Sequence, residues 1–455
     1  MDERKTFVVE DDRGYTHVLS GKSWEGGQGV VTVDATGKFI VKVIRFRKED
    51  GSAARERVRR QIRQVRVMPL QDLPVAMPLA LLNPPYVGYV MQYLKGMQVL
   101  EKLVDPPASV VSGQESPTDW YVQTGGLKRR LWLLARLAGV LKRLHSKGLV
   151  YGDLSPKNVL ISESYKHSEV YLIDLDNLCY DSSKPESFIH TDNFCAPEVY
   201  THRHGIDSLT DAYSFAVLAF WVLELKHPFE GELVDQGEPE LMWKAINAGE
   251  MPWIFHSSDD RNSSEHVLPK ENILSKNIFN QFKQTFEDGL INRRARPTLS
   301  MWEAALHTAS RNMIICPTCR ASYYYRERAC PYCDASRPHF LLARTYDYNP
   351  DAEKPENQER LITGACMQYP GKFVITRRFL GYNDDEADLS VLELEIDERL
   401  TARARLLSTR ECCAAPENKS QEIEIGPNWE KMPFTYWIHI GPIDQIHPLI
   451  KFERV

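Results

Sequence analysis

The stretch Val150–Ile161, VYGDLSPKNVLI, places an aspartate, a lysine and an asparagine on one polar loop between two apolar runs. An aspartate held between a helix and a short strand can accept a proton from a hydroxyl. Asn158, one D-x-x-x-x-N spacing after Asp153, can bind a metal ion, so one loop can carry both base and ligand. Asp174 ends the apolar strand VYLID and can complete the metal site. Oxygen donors of this kind suit Mg²⁺, which is bound through few protein ligands and keeps several waters.

The D-x-x-x-x-N spacing gains its meaning from its neighbours. Upstream, WEGGQGVVTV puts Gly26, Gly27 and Gly29 in a turn between strands, where backbone N–H groups can approach phosphates. Lys42 follows in KFIVKVI, a lysine facing inward from a strand. Downstream come Ala196-Pro197-Glu198, then Asp211 opening an apolar helix, then Arg296-Pro297.

In this order the motifs resemble a eukaryotic-type protein kinase domain, as found in many bacteria, from about residue 15 to about residue 310. The resemblance implies a bilobal fold and the binding of ATP and Mg²⁺. It assigns Gly26, Gly27, Gly29 and Val31 to the nucleotide loop and Lys42 to the α- and β-phosphates. Met91, Gln92, Tyr93 and Leu94 become the gatekeeper and hinge that hold adenine. Asp153 becomes the catalytic base, and Asn158 and Asp174 the Mg²⁺ ligands. Asp211 resembles the anchor of the central helix, and Arg296 the partner of Glu198.

Several positions depart from the family pattern. Tyr151-Gly152-Asp153 replaces H-R-D, so the arginine that engages a phosphorylated activation segment is missing, and no phosphorylation is expected to be needed there. Thr191 and Ser187 in that segment accordingly read as unmodified. Ser155 stands where a lysine is usual, and Lys157 is read as the γ-phosphate contact instead. Asp176 replaces the D-F-G glycine and is expected either to restrict the segment or to add a metal ligand. Trp24 replaces the first loop glycine. For the helix residue that pairs with Lys42, two candidates stand: Glu56, which requires a shifted helix, and Gln64.

The implied activity is Ser/Thr protein phosphorylation in bacterial signalling or stress response. A pseudokinase that binds nucleotide as a scaffold is one alternative. A small-molecule kinase is the other, because G-D-L-x-x-x-N also resembles aminoglycoside and choline kinases. The pattern further resembles kinases that act beside a PP2C-type phosphatase and a von Willebrand-type domain protein.

At 455 residues the chain exceeds one core, and about three domains are expected. The net charge of −6 gives no whole-protein case for nucleic-acid binding. The basic helix holding Arg55, Arg57, Arg59, Arg60, Arg63 and Arg66 reads as a solvated face or as a dock for an acidic partner. No window approaches the ~20 apolar residues of a membrane span, and the charged start MDERKTFVVE is not a signal peptide. A cytoplasmic protein without membrane contact is expected.

Nine cysteines are present. Cys316, Cys319, Cys330 and Cys333 form CPTC-x10-CPYC, two tight knuckles of thiolates that read as structural Zn²⁺. Iron would use the same ligands. Cys412-Cys413 and Arg377-Arg378 read as ordinary features of the β-rich tail, and no internal repeat is expected. The fold class is α+β: a bilobal kinase-like domain (1–94 and 95–312), a zinc ribbon (313–340) and an all-β, sandwich-like domain (341–455). Ribbon and tail are expected to dock a protein substrate or partner.

Overall fold

The computed structural model describes residues 7–26, 29–47, 50–165, 167–181, 191, 193–264, 268–353 and 358–455. Gly27 of the nucleotide loop and Ser187 lie outside the described residues. The chain divides into two compact units: Met1–Thr124 with Trp132–Ala304, and Gly125–Leu131 with Ala305–Val455.

In the first unit, strands β1 (Phe7–Glu10), β2 (Thr16–Gly26), β3 (Gly29–Asp34), β4 (Phe39–Ile44), β5 (Ala80–Leu81) and β6 (Gly88–Gln92) form one antiparallel sheet, ordered β1-β2-β3-β4-β6-β5. Side chains alternate across a strand, so neighbours in KFIVKVI face opposite ways. Val41 packs with Val9, Ala80, Leu82 and Val90 on one face. Tyr89 and Met91 pack with Ile62 on the other, against helix α1 (Ser52–Val67). Lys42 lies opposite Val31 and Tyr89 in the strand register and shares their face, so period two delivers it beneath α1. Helix α1 buries Ile62 and Val65, while most of its arginines lie outward.

The rest of this unit is mainly helical. Helix α2 (Ser208–Glu224) is buried along nearly its whole length. Asp207 caps it, accepting the Leu209 and Thr210 N–H groups, and Thr210 completes a capping box. Short strands Val159–Ser162 and Val170–Leu172 pair antiparallel, with Met97–Val99 alongside, and frame the polar loop.

The second unit carries the cysteine knuckles and a β-sandwich. Six strands pair in one sheet, with Phe340–Tyr348 between Glu359–Gln368 and the last strand, His447–Arg454. Four others form the second sheet: Gly371–Thr376, Ser390–Ile396, Thr401–Leu406 and Glu430–Pro433. Leu341, Ile438 and Ile450 from the first sheet share a core with Ile375, Leu392, Leu394 and Ala404 from the second. The architecture is therefore mixed α and β with an all-β C-terminal part. Among the described residues no helix is long and apolar enough to cross a membrane.

Candidate active site

The polar loop is built on Asp211, one turn into α2 and almost wholly buried. Its Oδ2 accepts the Tyr151 N–H at 2.8 Å and its Oδ1 the Gly152 N–H at 2.9 Å. His145 donates to the same carboxylate at 2.9 Å. These three contacts satisfy the buried charge and fix the loop backbone ahead of Asp153. Gly152 adopts φ 79°, and a Cβ there would lie 2.5 Å from Ile206 Cδ1. Conformation and space both select glycine at this position. Tyr151 takes an aromatic role beside it: its hydroxyl donates to the Ile173 carbonyl, tying the loop to the residue before Asp174.

Asp153 is buried, and its two oxygens are held from two sides. Asn158 Nδ2 donates to the Asp153 carbonyl at 2.9 Å and to Oδ2 at 3.1 Å. Thr191 donates to Oδ1 twice, from its backbone N–H at 2.8 Å and from its hydroxyl at 2.7 Å. Burial raises the Asp153 pKa, against the lowering effect of the Thr191 bonds, with the negative Asp174 adding to the rise. A raised carboxylate pKa makes a better proton acceptor.

Lys42 is buried and donates to two carboxylates, Asp174 Oδ1 at 2.6 Å and Asp176 Oδ2 at 2.7 Å. Burial works to lower its pKa, yet Asp176 and Asp174 together hold it above the ordinary lysine value. Asp176 is pushed up to about 6, by burial first and by Asp174 as well, with Lys42 opposing. Asp174 has φ 55° and opens a single 3₁₀ turn, Leu175–Asn177, that brings Asp176 back toward the lysine.

The two helix partners expected for Lys42 are not used. Glu56 is exposed and pairs with Arg63 at 3.0 Å, and Gln64 is also exposed. The reason is the phase of α1: with Ile62 and Val65 buried, positions 56 and 64 turn outward. Gln61 is the residue of α1 that reaches this region, and it donates to the Leu178 carbonyl at 3.0 Å. Lys157 also departs from its expected place. Its side chain is 73% exposed and lies 3.5 Å from Glu101, where it is drawn by a surface carboxylate rather than held at the loop centre.

Of the residues expected in the nucleotide loop and hinge, Gly26, Gly29, Val31, Met91 and Gln92 lie on the sheet, and Tyr93 and Leu94 follow it. Gly26 and Gly29 face each other across the turn between β2 and β3, and Val31 sits opposite Lys42. A Cβ on Gly29 would lie 2.2 Å from the Val43 carbonyl, so this strand approach admits only glycine. Met91 is buried beside Ile62 and Tyr89, Gln92 is exposed, and Tyr93 donates its N–H to the Lys38 carbonyl at 2.9 Å, with Leu94 half-buried after it.

Beyond Thr191 a clamp holds the chain. Asn193, at φ 73°, donates its N–H to Asn247 Oδ1 at 3.0 Å and accepts from Asn247 Nδ2 at 3.3 Å. His227 Nε2 donates to the Asn193 carbonyl at 3.0 Å, and its Nδ1 accepts the Phe229 N–H at 3.4 Å. Sequence reasoning missed this clamp and the bonds of Thr191 to Asp153. Both join residues far apart in the chain and leave no local pattern. Glu198 and Arg296 form a bidentate pair at 2.6 and 2.9 Å. Despite burial, Arg296 holds the Glu198 carboxyl below its ordinary pKa.

In the second unit, Cys316, Cys319, Cys330 and Cys333 bring their sulfurs within 4.8 Å of one another, with Cys316–Cys333 at 3.6 Å and Cys319–Cys330 at 3.5 Å. A tetrahedron with Zn–S bonds of ~2.3 Å has edges of about 3.8 Å, so the donor set fits zinc. Burial opposes the Cys316 thiolate, but the backbone N–H groups of Cys319 and Thr318 carry its pKa down to about 6. CPTCRAS (Cys316–Ser322) and CPYCDAS (Cys330–Ser336) form the two knuckles expected from the spacing. In each, the first cysteine N–H bonds an alanine carbonyl at 2.8 Å (Ala321, Ala335), and Arg320 and Asp334 both take positive φ.

Comparison with known proteins agrees with this geometry. A family model described as protein kinase domain matches residues 27–293. The chain is 39% identical over 100 residues to human ribosomal protein S6 kinase alpha-2, covering 22% of the chain and 13% of that protein. It is 33% identical over 112 residues to the serine/threonine-protein kinase pkn2 of Myxococcus xanthus, covering 23% of the chain and 13% of the relative. Calcium-dependent protein kinase 27 of Arabidopsis thaliana is 24% identical over 250 residues, 54% of the chain and 49% of the relative. The chain thus spans half or less of the length of these relatives. With more than half of its residues matched by the family model, the chain belongs to the protein kinase domain family.

Proposed function

We propose that the protein is an ATP-dependent Ser/Thr protein kinase acting in bacterial signalling. The observation that carries the reading is the Thr191 hydroxyl on Asp153 Oδ1 at 2.7 Å, the contact that an acceptor serine or threonine would make. Asp153 orients that hydroxyl and takes its proton as the phosphoryl group transfers. Lys42 and the turn at Gly26 and Gly29 position the phosphates of ATP. Asn158 and Asp174 would hold Mg²⁺: the Asn158 amide nitrogen is bound to Asp153, which leaves its oxygen as a ligand. When bound, the ion neutralises charge on the phosphate oxygens. Catalysis by this set is positioning and electrostatics.

Kinship with a Myxococcus xanthus kinase supports the bacterial setting. The zinc ribbon and sandwich are read as docking surfaces for a protein substrate or partner, a PP2C-type phosphatase or von Willebrand-type domain protein among them. A nucleotide-binding scaffold without transfer is the second reading, and the outward Lys157 favours it. Incubation with γ-labelled ATP, Mg²⁺ and a generic acceptor protein separates the two. Wild-type labelling that falls at least about a hundredfold in Asp153→Asn is expected. ATP binding without labelling overturns the kinase reading.

A further inference from the structure

We infer that Asp176 is the dedicated anchor of Lys42, taking over in the D-L-D turn the duty that helix α1 leaves unfilled. This rests on the nucleotide-site reading above. Three observations carry it. Lys42 sits between two carboxylates, at 2.6 Å from Asp174 and 2.7 Å from Asp176. The only glutamate of α1, Glu56, is exposed and spent on Arg63. The α1 residue that bonds this segment, Gln61, is neutral and uses its amide on the Leu178 carbonyl.

The two carboxylates divide two tasks. Asp174 is the residue in register with Asn158 for a cation, and a carboxylate directed at Mg²⁺ holds a lysine less firmly. Asp176 then keeps the ammonium fixed through a charge-assisted bond in a site with little water. The Tyr89 ring lies 5.7 Å from Lys42 Nζ, so the lysine is also flanked from the sheet. The regulatory consequence follows from where the anchor sits. A lysine held by a helix glutamate is released when that helix swings. A lysine held by the turn that also bears the metal ligand is not, so nucleotide affinity is independent of any acidic group on α1.

Calorimetry of MgATP binding to the full chain tests this with Lys42→Met, Asp176→Asn, the double variant and Glu56→Ala. Each single change at the pair weakens binding about tenfold. The double variant binds no more weakly than Lys42→Met, because Asp176 acts through the lysine. Glu56→Ala binds as wild type. Additive losses, which mark an independent metal ligand, overturn the inference, and so does wild-type affinity in Asp176→Asn. Should Asp176→Asn melt early, Asp176→Glu decides: it retains most of the affinity if charge is what matters, and a full loss overturns the inference. A wild-type chain that binds MgATP without transferring phosphate overturns the kinase reading and leaves these affinities interpretable. One that binds no MgATP overturns both.

Discussion

Gly152 shows how much one residue decides. At φ 79°, with Ile206 in the way of any Cβ, it holds the loop turn that presents Asp153. Gly152→Ala is expected to destabilise the kinase unit by roughly 1–2 kcal/mol or more, read as a lower melting temperature. Lys157 makes the opposite point. Its place beside Asn158 marks it as a phosphate contact in sequence, but its side chain lies in solvent beside Glu101. A lysine stem has enough torsional freedom that its head follows whichever carboxylate is near, which sequence position does not fix. Lys157→Ala is expected to change phosphoryl transfer less than tenfold, against the far larger loss in Asp153→Asn; a comparable loss would place Lys157 at the phosphate after all.

Elements are decided by phase and by long-range partners. The apolar positions of α1 predict its buried face, yet a rotation of one residue, about 100°, determines which of 56, 61 and 64 turns inward. In the structure positions 56 and 64 lie outward, and Gln61 turns in to the Leu178 carbonyl rather than to the lysine. The segment around Thr191 is held from a distance by the bidentate Glu198–Arg296 pair and by the Asn193 clamp. Arg296→Ala leaves the half-buried Glu198 carboxylate with only the longer Arg293 contact at 3.9 Å and is expected to cost about 2–3 kcal/mol. Burial pushes the His227 pKa down to about 4. Between about pH 4 and 6.5 the unfolded chain therefore binds more protons than the folded one at this site. The clamp's stability is full above about pH 6.5 and is lost as pH falls toward 4, by up to about 3 kcal/mol. Melting curves across that range should show a shallower acid slope in His227→Phe; an unchanged slope would assign the acid loss to other groups.

Across the whole molecule, the two units carry different kinds of stability. The kinase unit has a large buried core around α2, whereas the Cys316–Cys333 knuckles are too short to fold on apolar burial. One zinc per chain is expected by elemental analysis, falling to none in a Cys316→Ser, Cys319→Ser double variant; wild-type metal content there would refute the ligand set. Chelation should melt the ribbon while MgATP affinity of the kinase unit stays within about twofold. The sequence by itself determined the fold class, the family and the cysteine cluster, because each rests on ordered polar motifs or on local spacing. Strand alternation also determined that Lys42 faces inward. Tertiary structure alone decided which carboxylate holds that lysine, where Lys157 goes and what clamps Thr191. Those outcomes depend on helix phase, on positive-φ turns at Asp174 and Asn193, and on partners far apart in the chain, none of which leaves a local pattern.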